Sequence, residues 1–532
     1  MPSLIMLTAC SDSNSESGQE PEVPPLVEES GFVYTLKPDK KVGEISPYIY
    51  GMNLRKEFSH TSADYSTLVR LGGNRLTGYN WENNASNAGS DWHHSSDSHI
   101  PNQMVKGSDT NVPGSVASAF VSNCLDNGQA PLFTIPMCYY VAADKKGEVA
   151  EGDMSRWLQN KPVKPSAFSQ VPDLTDGVVY ADECINFIAN VCGAKGRVAY
   201  SLDNEPDLWQ STHPRICQTH ISCKDFLDRT IDYAKAIKNV DSEAEIYGFA
   251  SFGYSGYSTF SSAPDWNSVK GNYRWFIDYY LDRVQKASDL HGARLVNVLD
   301  LHWYPEAKGD NRINQSTANT DKDRKARLQA PRSLWDESYR EDSWIAQQSN
   351  CKLPLIPNVR QSIDRYAPGT KLAFTEFNYG GYEDITGTIA LAEVLGIFGK
   401  YDVYAACHWG DPGTYGNLAY RLYRDYDGAG SRYGDTLVES SLNKTWVNSS
   451  VFASVEDGNG ARLHAVVSNK SFEETIEAKI RIDSGREYRE AEVYYVTDGM
   501  ARIQKSSKIE IKNNRFTYSL PPLSVAHIVI TH

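Results

Sequence analysis

The chain has 532 residues, 40% hydrophobic and 23% charged, a balance that permits a large core and more than one domain. Its formal net charge of −14 argues against a nucleic acid or an anionic membrane surface as partner, because both call for a basic face. A neutral ligand is compatible with that charge, and 32 Tyr and 11 Trp offer flat faces of the kind that stack on sugars.

At the start of the chain, LIMLTA (4–9) is a short apolar run ending at Cys10. Leu7-Thr8-Ala9-Cys10 resembles a bacterial lipobox, with Ser11 in the position that goes with outer-membrane retention. The polar, acidic tract that follows reads as a flexible tether. Residues 1–30 are therefore expected to be a leader remnant and tether. Lipidated Cys10 is the only expected membrane attachment, and the protein is expected at the cell surface or secreted. No other run approaches membrane-spanning length.

From residue 47 short apolar runs alternate with segments of helical period. Eight strands are predicted: 49–53 (IYGMN), 69–76 (VRLGGNRL), 132–137 (LFTIPM), 197–206 (RVAYSLDNEP), 245–252 (EIYGFASF), 296–305 (VNVLDLHWYP), 372–380 (LAFTEFNYG) and 403–411 (VYAACHWGD). Helices are predicted over 181–193, 224–240, 275–292 and 386–401, the first and third ending at Gly193 and Gly292 in the manner of a left-handed cap. This alternation predicts an α/β fold, a TIM-like (β/α)8 barrel over 47–430. Two long segments, 77–111 and 306–343, follow strands and are expected on the catalytic face. After 430 the spacing becomes all-β, predicting a β-sandwich over 431–532 that strand 31–46 joins from the N-terminal side. Nine cysteines show no metal-like spacing. Buried free thiols are the main expectation for them, with Cys217–Cys223 the best candidate bridge.

Two carboxylates carry the chemical argument. Glu205, in SLDNEPDLW, ends the fourth barrel strand, and Glu376, in FTEFNYGG, ends the seventh. Catalytic residues of such barrels come from strand ends, and a pair facing each other across the mouth suits retaining glycoside hydrolysis. One carboxyl protonates the glycosidic oxygen while the other attacks the anomeric carbon. Asn204 is placed to meet a sugar hydroxyl. Tyr304 could orient the nucleophile, and His302 is either a site residue or a core histidine. Trp409 could form a stacking floor and Arg75 could neutralise the nucleophile. Trp81 and Glu82 lie beyond the second strand as further sugar-binding candidates.

ISPYIYGMN, RLGGNRLTGYNWENNASNAGSDW, SLDNEPDLW, VLDLHWYPE, FTEFNYGG and YGDTLVESS resemble glycoside hydrolase family 44 from residue 45 to about 441, and the ending LPPLSVAHIVI resembles its last sandwich strands. The resemblance implies retaining endo-hydrolysis of β-1,4-glucans such as xyloglucan or carboxymethylcellulose, with Glu205 as acid/base and Glu376 as nucleophile. It implies no required cofactor, allows a structural calcium ion with unassigned ligands, and goes with a monomer acting on a polysaccharide. Two other readings compete. One is a different barrel hydrolase, such as a xylanase or arabinofuranosidase. The other is a surface glycan-binding lipoprotein without catalysis.

Overall fold

The computed structural model describes residues 30–54, 65–105 and 107–532. The leader, Cys10 and most of the tether lie outside them. Strand β1 (Phe32–Glu44) comes first, followed by eight parallel strands that close into a barrel in sequence order. They are β2 (Gly51–Asn53), β3 (Leu68–Leu71), β4 (Ala130–Ile135), β5 (Ala199–Leu202), β6 (Ile246–Ser251), β7 (Val298–Trp303), β8 (Lys371–Phe377) and β9 (Ala405–His408). All eight sequence-predicted strands are present; seven are shorter than predicted, and the one predicted over 132–137 lies two residues earlier at the same length. The run 69–76, for instance, ends as a strand at Leu71, and Asn74–Thr77 turns into a helix.

Side chains alternate across each strand. In β3, Leu68 joins an inner layer with Leu132, Tyr247, Val298, Ala373 and Ala405, while Val69 and Leu71 face the surrounding helices. Arg70 then projects inward above Leu68, and in β7 Asp300 and His302 lie above Val298 on the same alternation. The barrel is thus apolar toward the strand N-termini and polar toward their C-termini. Register slips by one residue where β7 pairs with β8, Leu301 opposing Phe374 and His302 opposing Glu376. Such a bulge re-aims a side chain, and here Glu376 follows Thr375 to the interior while Phe374 and Phe377 stay with the outer core.

The outer helices include α1 (Ser115–Asp126), α2 (Ala181–Asn186), α3 (Cys223–Val240), α4 (Phe276–His291), α5 (Asp321–Gln329), α6 (Leu355–Tyr366), α7 (Ile385–Lys400) and α8 (Gly413–Arg424). The predicted helix 181–193 widens into a π turn over Phe187–Val191. Helix α4 ends on Gly292 at φ 79°, a left-handed cap that glycine adopts without strain. The C-terminal strands are β10 (Thr436–Leu442), β11 (Ser449–Val455), β12 (Arg462–Asn469), β13 (Ile476–Ile482), β14 (Glu490–Thr497), β15 (Met500–Lys505), β16 (Ile509–Glu510), β17 (Arg515–Leu520) and β18 (Ser524–Thr531). With β1 they make one ten-stranded sheet. Phe516 of β17 and Val493 of β14 sit near opposite ends of its strand order yet share one core, so the sheet curls over itself into a sandwich. Strand β1 is central to it, antiparallel to β10 and parallel to β13.

Helix α7 is buried on every side between barrel and sandwich. A side chain at Gly396 would strike the Phe452 ring of β11, and a fully buried Lys470–Glu393 ion pair of 2.6 Å ties β12's end to α7. The eight cysteines among the described residues are free thiols. Cys217 and Cys223 are not bridged: Cys217 donates to the Thr219 carbonyl and faces Cys138, while Cys223 is fixed at the start of α3, its backbone N–H held by Asp265.

Candidate active site

A cleft of about 520 Å³ opens at the C-terminal end of the barrel, with Glu205, Glu376, Asn204, Tyr304, Arg75 and Trp409 among its lining residues. Two glycines shape one side. At Gly72 a Cβ would lie 2.4 Å from the Arg70 guanidinium carbon, and at Gly73, whose φ is +87°, 2.6 Å from the Trp409 ring. The Gly72-Gly73 pair thus leaves room for an arginine beneath the cleft floor and an indole above it.

Arg70 is fully buried and organises the floor. Its Nη1 donates to Glu376 Oε1 at 2.8 Å and to Asn53 Oδ1 at 2.9 Å, and its Nη2 donates to Asn204 Oδ1 at 2.8 Å. Tyr304 donates its hydroxyl to the other Glu376 oxygen at 2.7 Å. Glu376 therefore receives two donated hydrogen bonds, one from a cation, and is charge-compensated in the way an attacking carboxylate requires. Asn204 has its carbonyl oxygen held by Arg70 and its Nδ2 bonded to Asn74 Oδ1 at 3.1 Å.

Glu205 stands just past β5 in a left-handed conformation, φ 42°, with its N–H bonded to the Ala250 carbonyl. The backbone before it is fixed by buried Asp203, whose carboxylate accepts from Thr77 and from the N–H groups of Met137, Cys138 and Asn204. This over-determination supports a sparsely populated φ at a reacting group. Burial pushes the Glu205 carboxyl up to about 7, Arg70 opposes the rise, and Asp91 adds to it. A carboxyl kept protonated near neutrality beside a charge-compensated one is the acid and nucleophile division of labour.

His302 sits between the two, its Nδ1 3.0 Å from Glu205 Oε1 and 3.5 Å from Glu376 Oε2. Burial pushes this imidazole down to about 3, so it is neutral, and its Nδ1 shares a hydrogen bond with Glu205. Donor atoms of Glu205, His302 and Glu376 all lie within 4.8 Å of one another. By donor type the three could hold a metal ion. With the Arg70 guanidinium already on Glu376, the arrangement is built for moving a proton and forming a bond at carbon.

The remaining sequence candidates fall elsewhere. Arg75 lines the cleft wall but pairs with Asp97 at 2.7 Å, and the contact to Glu376 belongs to Arg70, one turn of chain earlier. The cause is the early end of β3: residue 75 lies past the turn and points along the wall. Trp81 is buried against the Phe187 ring, 5.6 Å between centroids, and is not part of the cleft. Glu82 is buried near Glu183 and Lys164, also away from the cleft. The asparagines around these two, Asn80, Asn83, Asn84 and Asn87, donate to the carbonyls of Ala142, Ala143, Val112 and His94 and peg the segment in place. Trp409 presents an exposed ring over the floor, its carbonyl held by Asn378. Arg70, Asn53, Asn74, Asp91, His99 and Gln103 complete the site beyond what was read from sequence. Arg70 did carry a signal, a charge at an inward position of a strand buried on both faces.

A closed parallel barrel with two strand-end carboxylates meeting across its mouth defines a glycoside hydrolase. The family model for glycoside hydrolase family 44 matches residues 85–307. The chain is 46% identical over 513 residues to endoglucanase A of Paenibacillus lautus, covering 94% of this chain and 73% of that protein. It is 45% identical over 509 residues to a β-mannanase/endoglucanase A of Caldicellulosiruptor saccharolyticus, covering 91% of this chain but only 38% of that longer protein. It superposes on a Paenibacillus polymyxa xyloglucanase of family 44, solved with xyloglucan, at a TM-score of 0.90 and 43% identity, covering 94% of this chain and 99% of the other. The chain belongs to glycoside hydrolase family 44.

Proposed function

We propose that this chain is an endo-acting, retaining hydrolase of β-1,4-glucans, with xyloglucan and soluble cellulose derivatives as its substrates. The spacing of the two carboxylates carries the reading. An oxygen of Glu205 and one of Glu376 lie within 4.8 Å, whereas inversion needs carboxyls ~6.5–9.5 Å apart to admit a water. Glu205 gives its proton to the glycosidic oxygen as Glu376 attacks the anomeric carbon, releasing the leaving chain and forming a glycosyl ester. Glu205, now a carboxylate, takes a proton from water, which displaces Glu376 and restores both groups. Tyr304 and Arg70 hold the nucleophile, and the Trp409 ring offers a face to the sugar. The named activities of the Paenibacillus relatives support the choice of glucan.

Incubation with xyloglucan, carboxymethylcellulose and mixed-linkage glucan, followed by sizing of products, should give mixed oligosaccharides and a rapid viscosity drop. Release of a single terminal sugar would favour an exo-acting relative instead. Glu376→Gln should cut turnover by about 10⁴-fold or more while retaining binding, and an active variant rejects the assignment.

The proposal extends to calcium and to location. A structural calcium ion is a reading the family resemblance allows, with its ligands unassigned. Chelation should lower the melting temperature, and an unchanged melt would remove calcium from the reading. Export, lipidation at Cys10 and display on the outer membrane are supported by the lipobox-like LTAC sequence. Mass spectrometry of the chain expressed in a bacterium should find the lipid on Cys10. Light scattering should give the mass of one chain.

A further inference from the structure

At the opposite end of the barrel from the cleft, where β3 and β4 begin, lies a second hollow of about 530 Å³. Among the described residues its lining includes Arg197, Arg424 and Arg432 and no acidic side chain. In a chain of net charge −14, three arginines on one hollow are a local concentration of positive charge. The two carboxylates that follow Arg424 are already engaged: Asp425 accepts from Arg421 and from the Gly430 N–H, and Asp427 from the N–H groups of Ala429 and Ser431. Arg424 lies over the Tyr50 ring, 5.2 Å to its centroid, and its Nε is buried without a partner. Tyr48, half-buried and held edge-on by Tyr404, supplies an aromatic ring to the same hollow.

We propose that this hollow is a binding site for uronic-acid residues of acidic polysaccharide. Guanidinium groups recognise carboxylates bidentately, and an adjacent tyrosine suits the apolar face of a pyranose ring. A bare phosphate would use the arginines and leave the aromatic wall idle. The location keeps the hollow clear of the catalytic cleft, so it would hold the enzyme on acidic chains that accompany its neutral substrate while leaving the cleft open. That use rests on the glucan-hydrolase reading, but the site itself does not.

The test is calorimetric titration of the whole chain with trigalacturonate at low salt, beside inorganic phosphate. Trigalacturonate should bind and weaken with added salt. Arg197→Gln with Arg432→Gln should weaken it by about tenfold or more, as loss of charged hydrogen bonds does. Hydrolysis of xyloglucan by the double variant should be unchanged. Arg424→Gln should weaken binding similarly. Because Arg424 packs on Tyr50, the double variant at the two exposed positions decides the matter if Arg424→Gln fails to fold. Absence of trigalacturonate binding, binding indifferent to the arginine substitutions, or saturation by phosphate that trigalacturonate cannot displace would each overturn the proposal. Loss of xyloglucan hydrolysis with intact trigalacturonate binding in the wild type would bear on the glucan reading alone.

Discussion

The segments that leave β3 and β7 are both long, polar and on the catalytic face by topology, yet they do different work. Residues 77–111 supply Asp91, His99, Ile100 and Gln103 to the cleft. Residues 306–343, the more highly charged of the two, supply none of its lining and buttress the sandwich instead. Within the second segment Arg327 of α5 is fully buried, donating to the carbonyls of Ile313 and Ala318 and to Thr386 of α7. Gln329 reaches the Val447 carbonyl, and Lys470 reaches that of Leu328. The lesson concerns charge: a buried arginine that donates to two backbone carbonyls and a hydroxyl pins a loop as firmly as an apolar side chain does, and a charged segment need not be a solvated or substrate-facing one.

The largest effect expected from breaking this comparison lies at the exit of β3. Gly72→Ala places a methyl carbon against the Arg70 guanidinium, which must then leave Glu376 and Asn204. Turnover should fall by about 100-fold or more with circular dichroism unchanged. Steady-state kinetics near wild-type values would mean that Arg70 does not organise the nucleophile. A second effect follows from Glu205. With its carboxyl at about 7, the protonated acid is lost as pH rises, so kcat/KM should drop by about tenfold per pH unit above that value. Arg70's positive charge lowers this carboxyl, so in Gly72→Ala the limb should move to higher pH. A pH–rate profile that stays flat to pH 9 would remove Glu205 as the acid.

On the buttress side, Arg327→Met should leave the pH profile and the rate at 25 °C unaltered. It should cost on the order of 3 kcal/mol of stability, because three acceptors lose a buried donor. A lower melting temperature with intact kinetics is the expected signature. A changed KM would place this segment at the substrate after all.

The barrel was legible in the sequence because strands buried on both faces read as apolar runs, VAYSL and VLDL among them. Their C-terminal ends were not, since LGGNRL and LDNEP continue apolar or turn-forming residues past the last ladder bond. That overshoot explains the arginine. Reading 69–76 as one strand put Arg75 at its end, whereas the chain turns at Gly72 and Arg70 is the inward residue. The GYNWENN stretch illustrates the converse. Its composition is distinctive because asparagine side chains replace missing backbone partners, which marks an exacting loop geometry. Glu376 was legible as a strand-end acid, but its inward turn depends on the β7–β8 register slip, a pairing between distant segments.

The smallest effect tests the cleft side of the comparison at its rim. Gln103 is part of the cleft lining and stands near His99, 2.8 Å between their side-chain nitrogens. The Gln103 side chain pairs with His99 rather than with either catalytic carboxylate, so Gln103→Ala removes a neutral hydrogen-bonding group from the wall and leaves the chemistry alone. KM for xyloglucan should rise about threefold, the weight of one such bond, with kcat and melting temperature unmoved. If kcat fell instead, the 77–111 segment would be acting on the carboxylate pair and the division between gripping and reacting residues in this cleft would have to be redrawn.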